Sequence, residues 1–156
     1  NLEFWKGYAK ELGIASHVHF IGTIPSDSVL QTMRNNTAVV VPSKHEYPEG
    51  LPNTIYEALA SRSPLIISDH PAFKGRLKPY TNCLSFEAGN ASDLADKLLE
   101  LKNKPGLYEL ISENAADALQ QLYIGEDWCD LMTNFINDPE NQTQWTKEIN
   151  LQFLVG

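Results

Sequence analysis

Two glutamates, Glu49 and Glu57, stand eight positions apart in the segment EGLPNTIYEALA, directly downstream of the apolar run AVVVP. An ionised carboxylate is a pure acceptor and suits the holding of hydroxyl groups. The chain around the two adds a second chemistry. Ala38 to Val41 is a continuous apolar, β-branched run, the pattern of a strand buried on both faces of a parallel sheet. Pro42 ends it, because proline has no ladder donor. Residues 43–51 read as a polar loop holding Pro48 and Gly50, nine residues long, where a strand-to-helix connection usually takes about 2–6. Pro52 suits a helix start, and Ile55, Ala58 and Leu59 follow at helical spacing. The first N–H groups of that helix have no partner within it. A strand end, a loop and a helix N-terminus in succession are where α/β proteins bind phosphorylated ligands. Plainer roles stand beside these. Thr54 with Glu57 matches a capping box, Asn53 is an alternative cap, and Glu49 fits a solvated loop acid.

The elements that must position this segment alternate between helix and strand. Leu2, Trp5, Tyr8, Ala9 and Leu12 predict a helix closed by Gly13. Val18 to Ile21 predicts a short strand ending at Gly22, with His17 and His19 alternating against its core positions. Ser26 is expected to cap a helix through about Asn35. Strand 38–41 and helix 53–61 come next, then a third apolar strand at 64–68. Residues 69–82 read as irregular, with Pro71, Gly75 and Pro79. A fourth strand is expected at 83–86. Ser92 is expected to cap a helix through about Asn103, with Leu94, Leu98 and Leu101 inward. Pro105 opens another, with Leu107, Leu110, Ile111, Ala115, Ala118 and Leu122 on its apolar face. Trp128, Leu131, Met132 and Phe135 mark a final helix. The alternation implies an α/β fold, a Rossmann-like parallel sheet flanked by helices. In the tail, residues 138–156, strict alternation of Ile149, Leu151, Phe153 and Val155 predicts a strand at 149–155. We expect it parallel to and beside residues 18–21, whose edges would otherwise stay unpaired, in a permuted or rearranged order, an ordinary C-terminal extension being the alternative.

Composition narrows the classes. The chain of 156 residues is one domain's worth, with 42% hydrophobic and 21% charged residues, as in a globular protein. A net charge of −8 argues against a nucleic-acid partner, which calls for clustered Lys and Arg. No apolar stretch is long enough to span a bilayer. Cys83 and Cys129 form no CxxC motif and read as reduced thiols of a cytosolic protein. No histidine–carboxylate spacing suggests a metal, and no GxGxxG, phosphate loop or GxSxG occurs. His45 and His70 sit in loops near strand ends, within approach of a ligand.

EGLPNTIYEALA resembles the Glu, seven residues, Glu motif of retaining, nucleotide-sugar-dependent glycosyltransferases of the GT-B type, the glycosyl transferases group 1 family. LGIASHVHFIGTIP, VLQTMRNNTAVVVPS, SRSPLIISD and ASDLADKLLEL are similar to the elements flanking that motif, so the likeness covers roughly residues 1–137. It implies one half of a GT-B fold, the donor-binding domain. By resemblance, Glu49 contacts the donor sugar hydroxyls and is the catalytic position. Gly50, Leu51, Pro52, Asn53 and Thr54 supply the donor cradle and Glu57 the ribose contact, while Gly22, Thr23 and Ile24 hold the base. No cofactor and no metal are implied, the nucleotide-diphosphate sugar being substrate. The implied acceptor is a carbohydrate or lipid-linked group, bound through an N-terminal domain not in this chain. Membrane contact would come only through that lobe, at the inner face, and the setting is cytoplasmic polysaccharide biosynthesis. The family's Arg and Lys pair, which neutralises the diphosphate, falls upstream of the matched region, Lys44 being a remote stand-in. The chain begins at Asn1 and reads as a fragment of a two-domain enzyme, expected to be inactive alone. A non-catalytic nucleotide-binding module and half of a sugar-nucleotide epimerase are the alternatives.

Overall fold

The computed structural model describes residues 2–123 and 128–137. Its elements run α1 (Leu2–Glu11), α2 (Ser26–Arg34), β1 (Val39–Val41), α3 (Asn53–Ser61), β2 (Leu65–Ser68), β3 (Leu84–Phe86), α4 (Ala91–Asn103), α5 (Pro105–Leu122) and α6 (Trp128–Asn137). Single 3₁₀ turns lie at Ala15–His17 and Pro71–Phe73. The strands form a parallel sheet in the order β1-β2-β3, with Val40 beside Ile66 and Ile66 beside Leu84. A Rossmann-like α/β domain is therefore what the sequence folds into.

All four residues of the central strand β2 are buried. They divide by the two-residue period of a strand. Leu65 and Ile67 point into one core layer with Ile55, Leu59, Phe73 and Ala115, whereas Ile66 points into the opposite layer with Leu84, Phe86, Leu101 and Ile111. Burying each such aliphatic side chain contributes about 1.5–3 kcal/mol. α5 serves both layers, Ile111 on one and Ala115 and Ala118 on the other. Cys83, just before β3, is fully buried, and loss of hydration pushes its thiol up to about 12.

α3 matters most, because its N-terminus lies at the carboxyl end of β1. Its far end is fixed. Arg62 adopts a left-handed conformation (φ 59°) and its N–H donates to the Leu59 carbonyl. Ser61 Oγ donates to Ala58 O at 2.8 Å, Ser63 Oγ to Met33 O at 2.8 Å, and Ser112 Oγ to Arg62 O at 2.8 Å. These bonds tie the end of α3 to α2 and α5.

Several sequence expectations need correction. Residues 18–21 are not a strand; among the described residues no strand lies beside them, and Phe20 and Ile21 are exposed. An extended segment without a ladder partner has nothing to fix it. His17 ends a 3₁₀ turn and His19 lies in coil, both exposed. α2 begins at Ser26 itself, after Pro25, with no side-chain cap. Asn90, not Ser92, caps α4, its side chain accepting from Asp93 N at 3.0 Å. Leu98 and Leu110 face solvent. The capping box is not formed either: α3 follows Pro52 without a side-chain cap, and the Glu57 carboxylate makes no hydrogen bond back to the helix start. The expected strand at 149–155 lies outside the described residues.

Candidate functional site

The parallel sheet brings three chain segments to one edge, beyond the carboxyl ends of β1, β2 and β3. They are the β1–α3 loop (residues 42–52), the residues after β2, and the turn between β3 and α4. Three strands that finish at one edge put three loops within reach of one another.

Asp69, the first residue after β2, joins them. Its Oδ1 accepts from the Ala88 N–H of the β3–α4 turn at 2.8 Å and lies 2.8 Å from His45 Nε2 of the β1–α3 loop. A carboxylate accepts, so the imidazole nitrogen donates. The Ala88 N–H, seconded by His45, holds the Asp69 carboxyl below its ordinary value of 3.8. Its own N–H is anchored to Phe86 O at 2.8 Å.

His70 makes the neighbouring connection. Its Nδ1 accepts from Ala72 N at 3.2 Å, which leaves Nε2 to carry the proton and donate to Tyr47 O at 3.0 Å. The ring is buried against Phe73, centroids 5.1 Å apart.

Glu49 stands two residues beyond Tyr47. It is partly buried, and its Oε2 is enclosed with no hydrogen-bond partner. An enclosed acceptor left unpaired is unfavourable by about 1–3 kcal/mol. Ser68 Oγ, at the end of β2, is the other enclosed and unpaired side-chain oxygen among the described residues. Gly50 is exposed, while Leu51 packs on the core layer containing Ile55 and fixes the loop's exit. Pro52 O accepts from Ile55 N at 2.9 Å, so α3 starts one residue after the proline. Asn53 is exposed, and Thr54 and Glu57 are half-buried in the first turns of α3. The sequence-predicted loop and helix residues thus form one continuous segment at the sheet edge.

Gly22, Thr23 and Ile24 belong to a different stretch of chain, the coil before α2. Gly22 has φ 66°, and no recorded hydrogen bond joins these three residues to the β1–α3 loop. Lys44 and His45 do border a cleft of about 200 Å³ with Ala88 and Gly89. A larger hollow of about 770 Å³ lies between α3 and α5, includes Leu59, Leu119 and Leu122, and contains no residue of the loop. Its size does not make it the site, since the converging polar groups lie elsewhere.

Sequence reasoning missed Asp69 and the link through it. The available signal was a polar pair, Ser68–Asp69, directly after a fully apolar strand. What it lacked was a partner, because His45 lies 24 positions away.

The architecture is that of an α/β domain with its polar groups gathered beyond the carboxyl ends of a parallel sheet. Within that class, residues 1–118 match the family described as glycosyl transferases group 1, and the chain belongs to that family. An uncharacterized glycosyltransferase of Methanocaldococcus jannaschii is 30% identical over 102 residues, 65% of this chain and 28% of the relative. The chain therefore spans about a quarter of that relative's length. Among solved structures, the C-terminal domain of the glycosyl transferase group 1 family protein LpcC of Francisella tularensis is 26% identical with a TM-score of 0.67, covering 80% of this chain and 63% of that one. Sucrose-phosphate synthase of Thermosynechococcus elongatus shares the fold at a TM-score of 0.70 and 22% identity, over 85% of this chain and 32% of that one. HepE of Anabaena, solved with UDP, does so at 0.70 and 21%, over 77% and 32%. Among the described residues no helix is long and apolar enough to cross a membrane.

Proposed function

We propose that this chain is the donor-binding half of a retaining glycosyltransferase that uses a nucleotide-diphosphate sugar. The observation that carries the reading is Glu49, whose enclosed Oε2 lacks a donor immediately before an uncapped helix N-terminus. A sugar hydroxyl would supply that donor. The N–H groups of Asn53 and Thr54 face the same end of α3, where their dipoles favour an anion.

Glycosyl transfer breaks the bond between the anomeric carbon and the diphosphate oxygen. It forms a bond from that carbon to the acceptor oxygen, and the acceptor's proton is released. Negative charge grows on the leaving diphosphate while the sugar becomes oxocarbenium-like. Donors aimed at the leaving group lower the barrier. In this scheme the start of α3 faces the diphosphate, Glu49 holds the sugar and Glu57, free of any cap, takes the ribose hydroxyls. Gly22, Thr23 and Ile24 face the base. That HepE, which shares this fold over 32% of its chain, was solved in complex with UDP supports the choice of a nucleoside diphosphate. The acceptor, carbohydrate or lipid-linked, would be held by a second domain.

Saturation-transfer NMR of the chain against a panel of nucleotide sugars tests this. Signals from ribose and sugar protons are expected, and Glu57→Ala should weaken binding by about 1–3 kcal/mol. Equal affinity of Glu57→Ala and wild type would remove the ribose role. The isolated chain is expected to transfer no sugar, and turnover onto any carbohydrate acceptor would refute that.

A further inference from the structure

We infer that Asp69, His70 and His45 are positioning residues for Glu49, two ties that hold the β1–α3 loop in the conformation that presents it; this rests on the reading of Glu49 above. The loop is long and carries Pro48 and Gly50, so its own sequence does not fix its path. Apart from an internal turn, Tyr47 N to Lys44 O at 3.0 Å, its recorded hydrogen bonds before Glu49 run to the segment after β2. One is His45 Nε2 to Asp69 Oδ1, the other His70 Nε2 to Tyr47 O. They grip the chain four and two residues before Glu49.

Both anchors are fixed to the sheet and the turns around it where they stand. Asp69 is bonded to β3 through Phe86 O and to the following turn through Ala88 N. His70 is 5% exposed, packed on Phe73, with its tautomer set by Ala72 N. Tyr47, in contrast, is 63% exposed, so its side chain does not anchor the loop. An unpaired carboxylate oxygen such as Glu49 Oε2 gains by swinging into water. It stays enclosed because other contacts fix the chain that carries it: Leu51 packs on the core on one side, and these two ties are the hydrogen bonds that hold the chain on the other. The sheet edge thereby sets the position of the sugar-binding carboxylate in advance of the ligand, a form of preorganisation.

The ties should matter for the sugar and not for the diphosphate, which the start of α3 serves. The experiment compares each nucleotide sugar with its own nucleoside diphosphate on the full chain by NMR titration. The pairs are UDP-glucose and UDP, GDP-mannose and GDP, and ADP-glucose and ADP. In the pair that wild type binds, His45→Ala and Asp69→Ala should weaken the nucleotide sugar about 3–10-fold and leave the diphosphate within about twofold. Glu49→Ala should show the same selectivity. His45→Gln, whose amide N–H can reach the Asp69 carboxylate, should recover most of the loss. His45 is half exposed, so its removal leaves the core intact. Equal weakening of both ligands would make the ties a general brace and overturn the inference. So would an unchanged His45→Ala beside a selective loss in Glu49→Ala. If wild type binds no pair, or Glu49→Ala is not selective, the donor-site reading itself fails and the inference falls with it.

Discussion

In α1, Phe4, Trp5 and Tyr8 pack edge-on and stacked against one another, yet stay 61, 54 and 47% exposed. In α3, Ile55, Ala58 and Leu59 fall to 1% exposure or less. Both helices carry apolar residues at helical spacing. α3 follows β1 and lies against β1, β2 and α5, whereas α1 touches little beyond the 3₁₀ turn after it. Spacing makes an apolar face; a neighbouring sheet decides whether that face is buried. Residues 2–25 and residues 38–122 are thus two regions written in the same pattern, the first with few partners among the described residues and the second with many.

The sharpest way to break this comparison is by core truncation. Leu59→Ala or Ile66→Ala should destabilise the domain by about 2–5 kcal/mol in urea denaturation. Trp5→Ala should move it by less than about 0.5 kcal/mol, the range for surface positions. A Trp5→Ala loss comparable with that of Leu59→Ala would show that α1 belongs to the cooperative unit.

A smaller effect tests the start of α4 in the packed region. Asn90→Ala removes the acceptor of the Asp93 N–H and should cost about 1 kcal/mol. Ser92→Ala at the position that sequence favoured should be nearly neutral in the same assay, and the reverse order would restore Ser92 as the cap.

The smallest effect concerns Asp69, whose carboxylate is half exposed. Its carboxyl titrates below 3.8 in the fold. The stabilisation it brings is therefore complete above that ordinary value and disappears as pH falls through the lower folded one. Denaturation midpoints measured between about pH 6 and 3 should fall more steeply for wild type than for Asp69→Asn. Parallel curves would mean that the ties at the sheet edge are not charge-assisted.

Much of this was legible in the chain because local rules govern it. Short apolar runs marked β1, β2 and β3 within a residue, and Pro52 and Pro105 fixed the starts of α3 and α5. The loop and helix start of the candidate site were legible for the same reason, since EGLPNTIYEALA is contiguous. Partners distant in sequence were not. Residues 18–21 look like a strand, but a ladder needs a neighbour that no window of sequence shows. Thr54 and Glu57 look like a capping box, yet α3 begins two residues earlier than that box requires. The His45–Asp69 and His70–Tyr47 links exist only because parallel strands end together, which periodicity does not encode.

Cys83 gives this fold an internal timer. Its thiol is fully buried and pushed up to about 12, so a thiol reagent in neutral solution meets neither an accessible sulfur nor a thiolate. Reaction must wait until the chain beside β3 detaches from β2 and from the layer holding Phe73 and Leu77. Cys129 is exposed and reacts first. Once Cys129 is replaced by serine, the rate at which Cys83 takes up label becomes a direct count of how often the sheet comes apart.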